Sequence, residues 1–140
     1  SPVMVLIDGL GLSGGSYATT FAHDSHNIFV IGRDPASMAT ALTAVLAAGG
    51  GMAFASDAEP AADIIVLRLP LAALLSDEPV TAVAADFDAI EAALRGAGMK
   101  ARNPVLLLTL LPLSVSPDFK VSDKGIVDVQ GRRVLSPVAA

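Results

Sequence analysis

The sequence contains no cysteine and no tryptophan, and it has one tyrosine and two histidines in 140 residues. Without cysteine there is no disulfide and no thiolate-ligated metal, and a reducing, cytoplasmic setting is the expectation. Aromatic residues are 4% of the chain while hydrophobic residues are 53%, so a core has to be assembled from Leu, Val, Ile and Ala. That apolar content argues against intrinsic disorder. Charged residues are 16%, the formal net charge is -5, and Arg132-Arg133 is too short to count as a basic block. Nucleic-acid binding, which needs clustered Lys and Arg, is therefore disfavoured. No apolar run reaches the roughly 20 residues of a membrane span. The longest, Val105–Val115 and Ile64–Leu75, are short or broken by Arg68, Pro70 and Pro112. The opening "SPVMVLIDGLG" lacks the basic start of a signal peptide. It begins directly in an apolar segment, so the sequence reads as cut from something longer.

What is present is a succession of short β-like runs and two long amphipathic helices. Strands are expected over Val3–Ile7, Ser16–Ala22, Ile28–Ile31, Met52–Ala55 and Ile64–Leu69, with a hairpin formed by Phe119–Ser122 and Ile126–Val129. Asp34 caps a helix that opens at Pro35 and ends at Gly49–Gly51. Its apolar face is Met38, Leu42, Val45 and Leu46. A second helix is expected over Val80–Arg95, with Val80, Val83, Ala84, Phe87, Ile90 and Leu94 buried and Asp86, Asp88, Glu91 and Arg95 outside. Leu71–Leu75 reads as a short helical turn, the run between Pro104 and Pro112 as a buried strand or mixed segment, and Arg132–Ala140 as a tail. The fold class that follows is α+β (or α/β): a mixed β-sheet covered by two long helices, as a single compact domain over residues 1–140.

Three features are candidates for chemistry. Gly9, Gly11 and Gly14 have the GxGxxG spacing, but a strand-like run follows where a dinucleotide fingerprint needs a helix; a tight turn is the expected use. Asp77 and Glu78, in "LLSDEP", lie just before the second helix, where they either cap it or reach a ligand. The pentapeptide His23-Asp24-Ser25-His26-Asn27 holds both histidines of the chain in a polar break between apolar runs. Imidazole and carboxylate groups at a strand end can bind a metal, orient a water or move a proton. Two histidines and one carboxylate are at most a partial metal site. A plain polar turn, a self-contained metal site and a patch completed by other protein segments all remain open on these residues alone.

The stretches "GLGLSGGSYATTFAHDSHNIFVIG", "GGGMAF", "LPLAALLSDEP" and "PVLLLTLLPLSVSPDFKVSDKGIVDV" resemble, in order, the C-terminal domain of bacterial adenine deaminases of the amidohydrolase superfamily. The resemblance implies a longer parent with a metal-binding (β/α)8 barrel that hydrolyses adenine to hypoxanthine and ammonia using manganese or iron. It implies the barrel domain of the same protein as partner, a homo-oligomer, and adenine or a related small molecule as ligand. The roughly 250 residues a barrel needs are not here, so no cofactor or metal site is expected within this chain. His23, Asp24 and His26 match the family signature and are implied in an auxiliary or lid role at the active-site entrance, with Ser25, Asn27, Asp77 and Glu78 near the substrate. Ser13 stands where the family commonly places a lysine. Two other readings compete: a purely structural interdomain or oligomerisation domain, and a free-standing small-ligand-binding module.

Overall fold

The computed structural model describes residues 2–22, 25–58 and 63–136. Four strands make the main sheet: β1 (Ser16–Thr19), β2 (Phe29–Gly32), β3 (Gly51–Ala55) and β4 (Ile64–Arg68), in the order β2-β1-β3-β4. All three pairings are antiparallel. The register sets Tyr17 beside Ile31 and Phe54, Phe54 beside Ile65, and Met52 beside Leu67. Because side chains alternate along a strand, these bulky groups share one face, and Ala18, Val30, Ala53 and Val66 share the other.

Each face has its own helical cover. Helices α2 (Val80–Gly96) and α3 (Pro104–Leu110) supply Ile90, Leu94, Val105 and Leu108 to a cluster with Tyr17, Met52, Phe54 and Leu67. Helix α1 (Pro35–Ala47) places Ala41 and Val45 against Ala18, Ala53 and Ala55. The result is an α+β fold of three layers. The small residues of the α1 layer bring helix and sheet close together. A Cβ at Gly32 would lie 1.8 Å from Ser16 Oγ and 2.7 Å from Met38 Cγ. Between these layers the buried hydroxyls of Ser16 and Ser37 satisfy each other at 2.6 Å.

Asp34 caps α1 as expected. Its Oδ1 accepts from the backbone N–H groups of Ala36 and Ser37 at 2.9 and 3.0 Å. The Ser37 hydroxyl, and then these N–H groups, hold the Asp34 carboxyl below the usual carboxylate range. The buried line of the helix differs from the apolar stripe in the sequence. It is Ser37, Ala41 and Val45, while Leu46 is exposed. The alanine face beneath leaves little depth for larger side chains.

Other expectations are corrected. Val3–Ile7 is no strand; it has no sheet partner, and Met4 and Leu6 are exposed. The run from Ser16 leaves the sheet at Thr19. Leu71–Leu75 is not helical: it is a tight turn closed by Leu71 and Leu75, with Ala72 and Ala73 at φ 55 and 59. The segment after Pro104 is the short helix α3, not a strand. Pro104 suits the first turn, and a carboxylate supplies a partner that the helix start lacks. That carboxylate is Glu91, expected outside but only 5% exposed. Its Oε1 accepts from the Val105 N–H at 2.9 Å, and its Oε2 pairs with Arg95.

The C-terminal part forms a separate meander of β5 (Phe119–Ser122), β6 (Gly125–Asp128) and β7 (Arg133–Leu135). The last of these replaces the start of the expected tail. Its pairing places Arg133 opposite Asp128, and their side chains join at 2.9 Å. The meander adds no residue to either buried cluster. It meets the main body where the Val121 N–H donates to the Leu111 carbonyl at 3.1 Å and where the Asn27 side chain reaches Asp123 at 3.3 Å.

Two stability predictions follow from buried polar groups. Glu91→Ala leaves the buried Val105 N–H unpaired and should cost about 1–3 kcal/mol, read as a lower denaturation midpoint. Arg95, half exposed, should account for little of this. The Tyr17 hydroxyl is fully buried with no hydrogen-bond partner among the described residues. Burial, offset only in part by the nearby Thr19 hydroxyl and reinforced by Glu91, holds its ionisation far above the usual phenol range; the Thr19 hydroxyl does not reach hydrogen-bond geometry with it. Tyr17→Phe should therefore raise the midpoint, by about 1 kcal/mol; a fall would show that the hydroxyl is satisfied in solution.

Candidate functional site

The antiparallel register sorts the loops to two ends of the main sheet. At one end β1 and β4 finish while β2 and β3 begin. The β1–β2 loop, the Gly49-Gly50 turn and the Leu69–Pro79 segment all emerge there. The histidine loop and the "SDEP" segment, far apart in sequence, therefore share one end of the molecule.

The histidine loop is described from Ser25 onward; His23 and Asp24 lie outside the described residues. Ser25 and His26 are exposed and Asn27 is half-buried. The His26 N–H donates to the Ala22 carbonyl at 2.7 Å, closing a tight turn, and His26 itself takes φ 49. That left-handed conformation is costly for a residue with a Cβ. The Asn27 Nδ2 donates to Asp123 Oδ1, at the tip of the β5–β6 hairpin, at 3.3 Å. The imidazole is thus presented outward on a loop leaned against the C-terminal meander.

Asp77 and Glu78 are also exposed, and neither is the cap of α2. The cap position is Pro79, without a side-chain hydrogen bond, and the Glu78 N–H is satisfied by Ser76 Oγ at 3.1 Å. The capping role expected for these carboxylates is corrected accordingly. Among the described residues no hydrogen bond joins them to Ser25, His26 or Asn27. The fold brings the two groups to one end without making them a single constellation.

The sequence alone did not single out the residue between the two loops. Thr20 is 8% exposed and lies at the root of the histidine loop. Its Oγ1 accepts from the Gly51 N–H at 2.8 Å and donates to the Ala73 carbonyl at 2.7 Å. The turn it holds, Ala72-Ala73, has two alanines in the left-handed region. Gly50, at φ 121, is the seat of that turn: a Cβ there would lie 2.5 Å from Ala73 Cα. The Thr19-Thr20 pair was visible as β-like sequence, but a partner 53 positions away was not.

The glycine turn lies at the opposite end and leads straight into β1, so no helix N-terminus follows it to receive a phosphate. Gly9 and Gly11 take φ 84 and 76, which fits the expected turn. Ser13 donates from both its N–H and its hydroxyl to the Ala97 carbonyl, at 2.7 and 2.8 Å, and so closes the end of α2. An open cleft of about 410 Å³ nearby is lined by Gly14, Gly15, Phe54, Asp57 and Asp63 among others. Another, of about 290 Å³, lies between α2 and α3. Among the described residues of the histidine loop, none lines either cleft.

The family described as adenine deaminase C-terminal domain matches residues 1–133. The chain belongs to this family. Among its relatives, an adenine deaminase of Syntrophobacter fumaroxidans is 41% identical over 138 residues, covering 99% of this chain and 23% of the relative. One of Desulfatibacillum aliphaticivorans is 42% identical over 123 residues, or 88% and 21% of the two chains. One of Oleidesulfovibrio alaskensis is 46% identical over 121 residues, or 86% and 21%. This domain therefore spans between a fifth and a quarter of the length of the relatives it matches.

Among the described residues no three His, Asp or Glu side chains converge. No helix among them is long and apolar enough to cross a membrane.

The strained turn at His26 gives a test that separates stability from function. His26→Gly should leave the denaturation midpoint unchanged or raise it slightly, since glycine adopts positive φ without penalty. His26→Ala keeps the Cβ penalty and gains nothing. A midpoint lowered by more than about 1 kcal/mol in the glycine variant would show that the imidazole packs in solution.

Proposed function

We propose that this chain is the C-terminal domain of an adenine deaminase-like, metal-dependent hydrolase that converts adenine and water to hypoxanthine and ammonia. In this reading the domain covers or lines the mouth of a barrel active site carried by the rest of the same protein. The observation that carries it is the family match over residues 1–133 together with the outward presentation of the histidine loop.

The metal, manganese or iron, belongs with the barrel, where it would assist attack by water on the ring carbon that bears the amine. What this chain offers is different. His26 is exposed at the histidine end, where an imidazole can order a water or pass a proton. His23 and Asp24 are the proposed companions, and Ser25, Asn27, Asp77 and Glu78 stand at the same end as polar groups near the substrate. A cover of this kind excludes bulk water while leaving a path for protons. A homo-oligomer and a cytoplasmic location go with this proposal.

A second reading, a purely structural interdomain or oligomer-packing domain, draws on the exposed apolar side chains of Met4, Leu6, Val80 and Val115. Such side chains mark a partner surface where they form one contiguous patch. Catalysis decides between the two.

The natural gene product should be purified, its intact mass taken, and ammonia release from adenine assayed with manganese supplied. A protein several times longer than this chain, active on adenine, is the expected result. In it, replacing both His23 and His26 by Ala should lower kcat by about a hundredfold, with metal content unchanged. Unchanged turnover in that variant would sink the lid role and favour structural packing.

A further inference from the structure

We propose that Thr20 is a positioning residue that locks the histidine loop and the "SDEP" segment into one arrangement, an inference that rests on the adenine deaminase reading. Thr20 is too buried to meet a substrate, at 8% exposed. Its hydroxyl has one proton, and that proton goes to the Ala73 carbonyl at 2.7 Å; the Gly51 carbonyl, at 3.4 Å, is the weaker acceptor. The oxygen accepts in turn from the Gly51 N–H at 2.8 Å, and the Thr20 N–H donates to the Gly51 carbonyl at 2.9 Å. One residue thereby fixes three things: the end of β1, from which the histidine loop departs, the start of β3, and the turn that leads to Asp77 and Glu78.

The turn needs such a clamp. With two successive alanines in the left-handed region, Ala72-Ala73 is a conformation that a free chain avoids. It is held from one side by the Thr20 hydroxyl. It is seated from the other on Gly50, whose missing Cβ makes the room. Without the hydroxyl, the Ala73 carbonyl loses its partner and the turn is free to relax toward ordinary backbone angles. Leu74 to Pro79 would then shift relative to the histidine loop. Misplacement by about 1 Å is enough to cost a hundredfold in rate at a reacting site.

The test uses the full-length natural protein with Thr20→Val, which keeps shape and removes the hydroxyl, and Thr20→Ser, which restores it. Thr20→Ala replaces the valine variant if that does not fold. Two readouts are taken: amide hydrogen exchange at Gly51, Leu71 and Leu75, and kcat and KM for adenine. The expected result for Thr20→Val is exchange at these amides about tenfold faster or more, with α2 unchanged. The expected kcat is lower by about ten- to a hundredfold at unchanged metal content, with KM moved by less than about threefold. Thr20→Ser should return both readouts to near wild type. Unaltered exchange in the hydroxyl-free variant overturns the clamp. Faster exchange with unaltered turnover overturns its service to the reaction. A wild-type protein that releases no ammonia from adenine fails the deaminase reading instead, and the exchange result then decides the clamp by itself.

Discussion

The fold depends on the two unequal faces of the main sheet, and strand β3 shows the constraint most plainly. All five residues of Gly51–Ala55 are buried, because β1 and β4 flank the strand and helices cover both of its faces. Met52 and Phe54 point to the α2 side, Ala53 and Ala55 to the α1 side. A slip of one residue would exchange the two sets. Phenylalanine and methionine would then meet α1, whose approach already leaves no room for a Cβ at Gly32. Small residues on one side and bulky ones on the other therefore fix register more strictly than hydrophobic alternation alone. Every pairing follows from that, and with it the assignment of each loop to one end.

The two ends are used differently. At the glycine end the chain is closed on itself: Ser13 takes over the Ala97 carbonyl with two donors, and a Cβ at Gly11 would lie 2.9 Å from the Gly98 carbonyl. Ser13 thus has a defined task, closing the end of α2. At the histidine end the hydrogen bonds tie the roots of the loops together and leave their tips outward. Thr20, Gly50 and Gly51 are buried, while His26, Asp77 and Glu78 are exposed. Rigid roots with exposed polar tips are what a site on a scaffold requires.

Much of this was legible in the sequence, for identifiable reasons. The Asp34-Pro35 start of α1 carries its own chemistry, three strands of the main sheet coincide with short apolar runs, and β1 falls within the alternating Thr and aromatic run from Ser16. The misreadings concern packing and pairing that a local pattern does not encode. Glu91 looked like a solvent residue on a helical wheel and is buried because α3 needs a partner for the Val105 N–H. Leu46 looked like core and is exposed because alanines opposite α1 leave no depth. Arg133 looked like a tail and is held by Asp128. Val3–Ile7 has strand composition but no strand beside it. The histidine loop was found as a polar break with both histidines. Its clamp at Thr20 was not, since nothing local marks a threonine whose acceptor lies in a turn beyond one helix and three further strands.

Strain links the visible and the hidden parts of the site. Among the described residues, His26, Ala72 and Ala73 are three of five residues other than glycine with positive φ, and all three lie at the histidine end. Each costs on the order of 1–2 kcal/mol. For Ala72-Ala73 the surroundings supply the compensation, in the Thr20 hydroxyl and the space over Gly50. Among the described residues, His26 has one backbone hydrogen bond, to Ala22, and is exposed. A turn that spends conformational energy to hold an imidazole in the open gains nothing for this domain's own packing. In the proposed lid role, the surface facing the ring would belong to another part of the protein, and that contact would offset the cost.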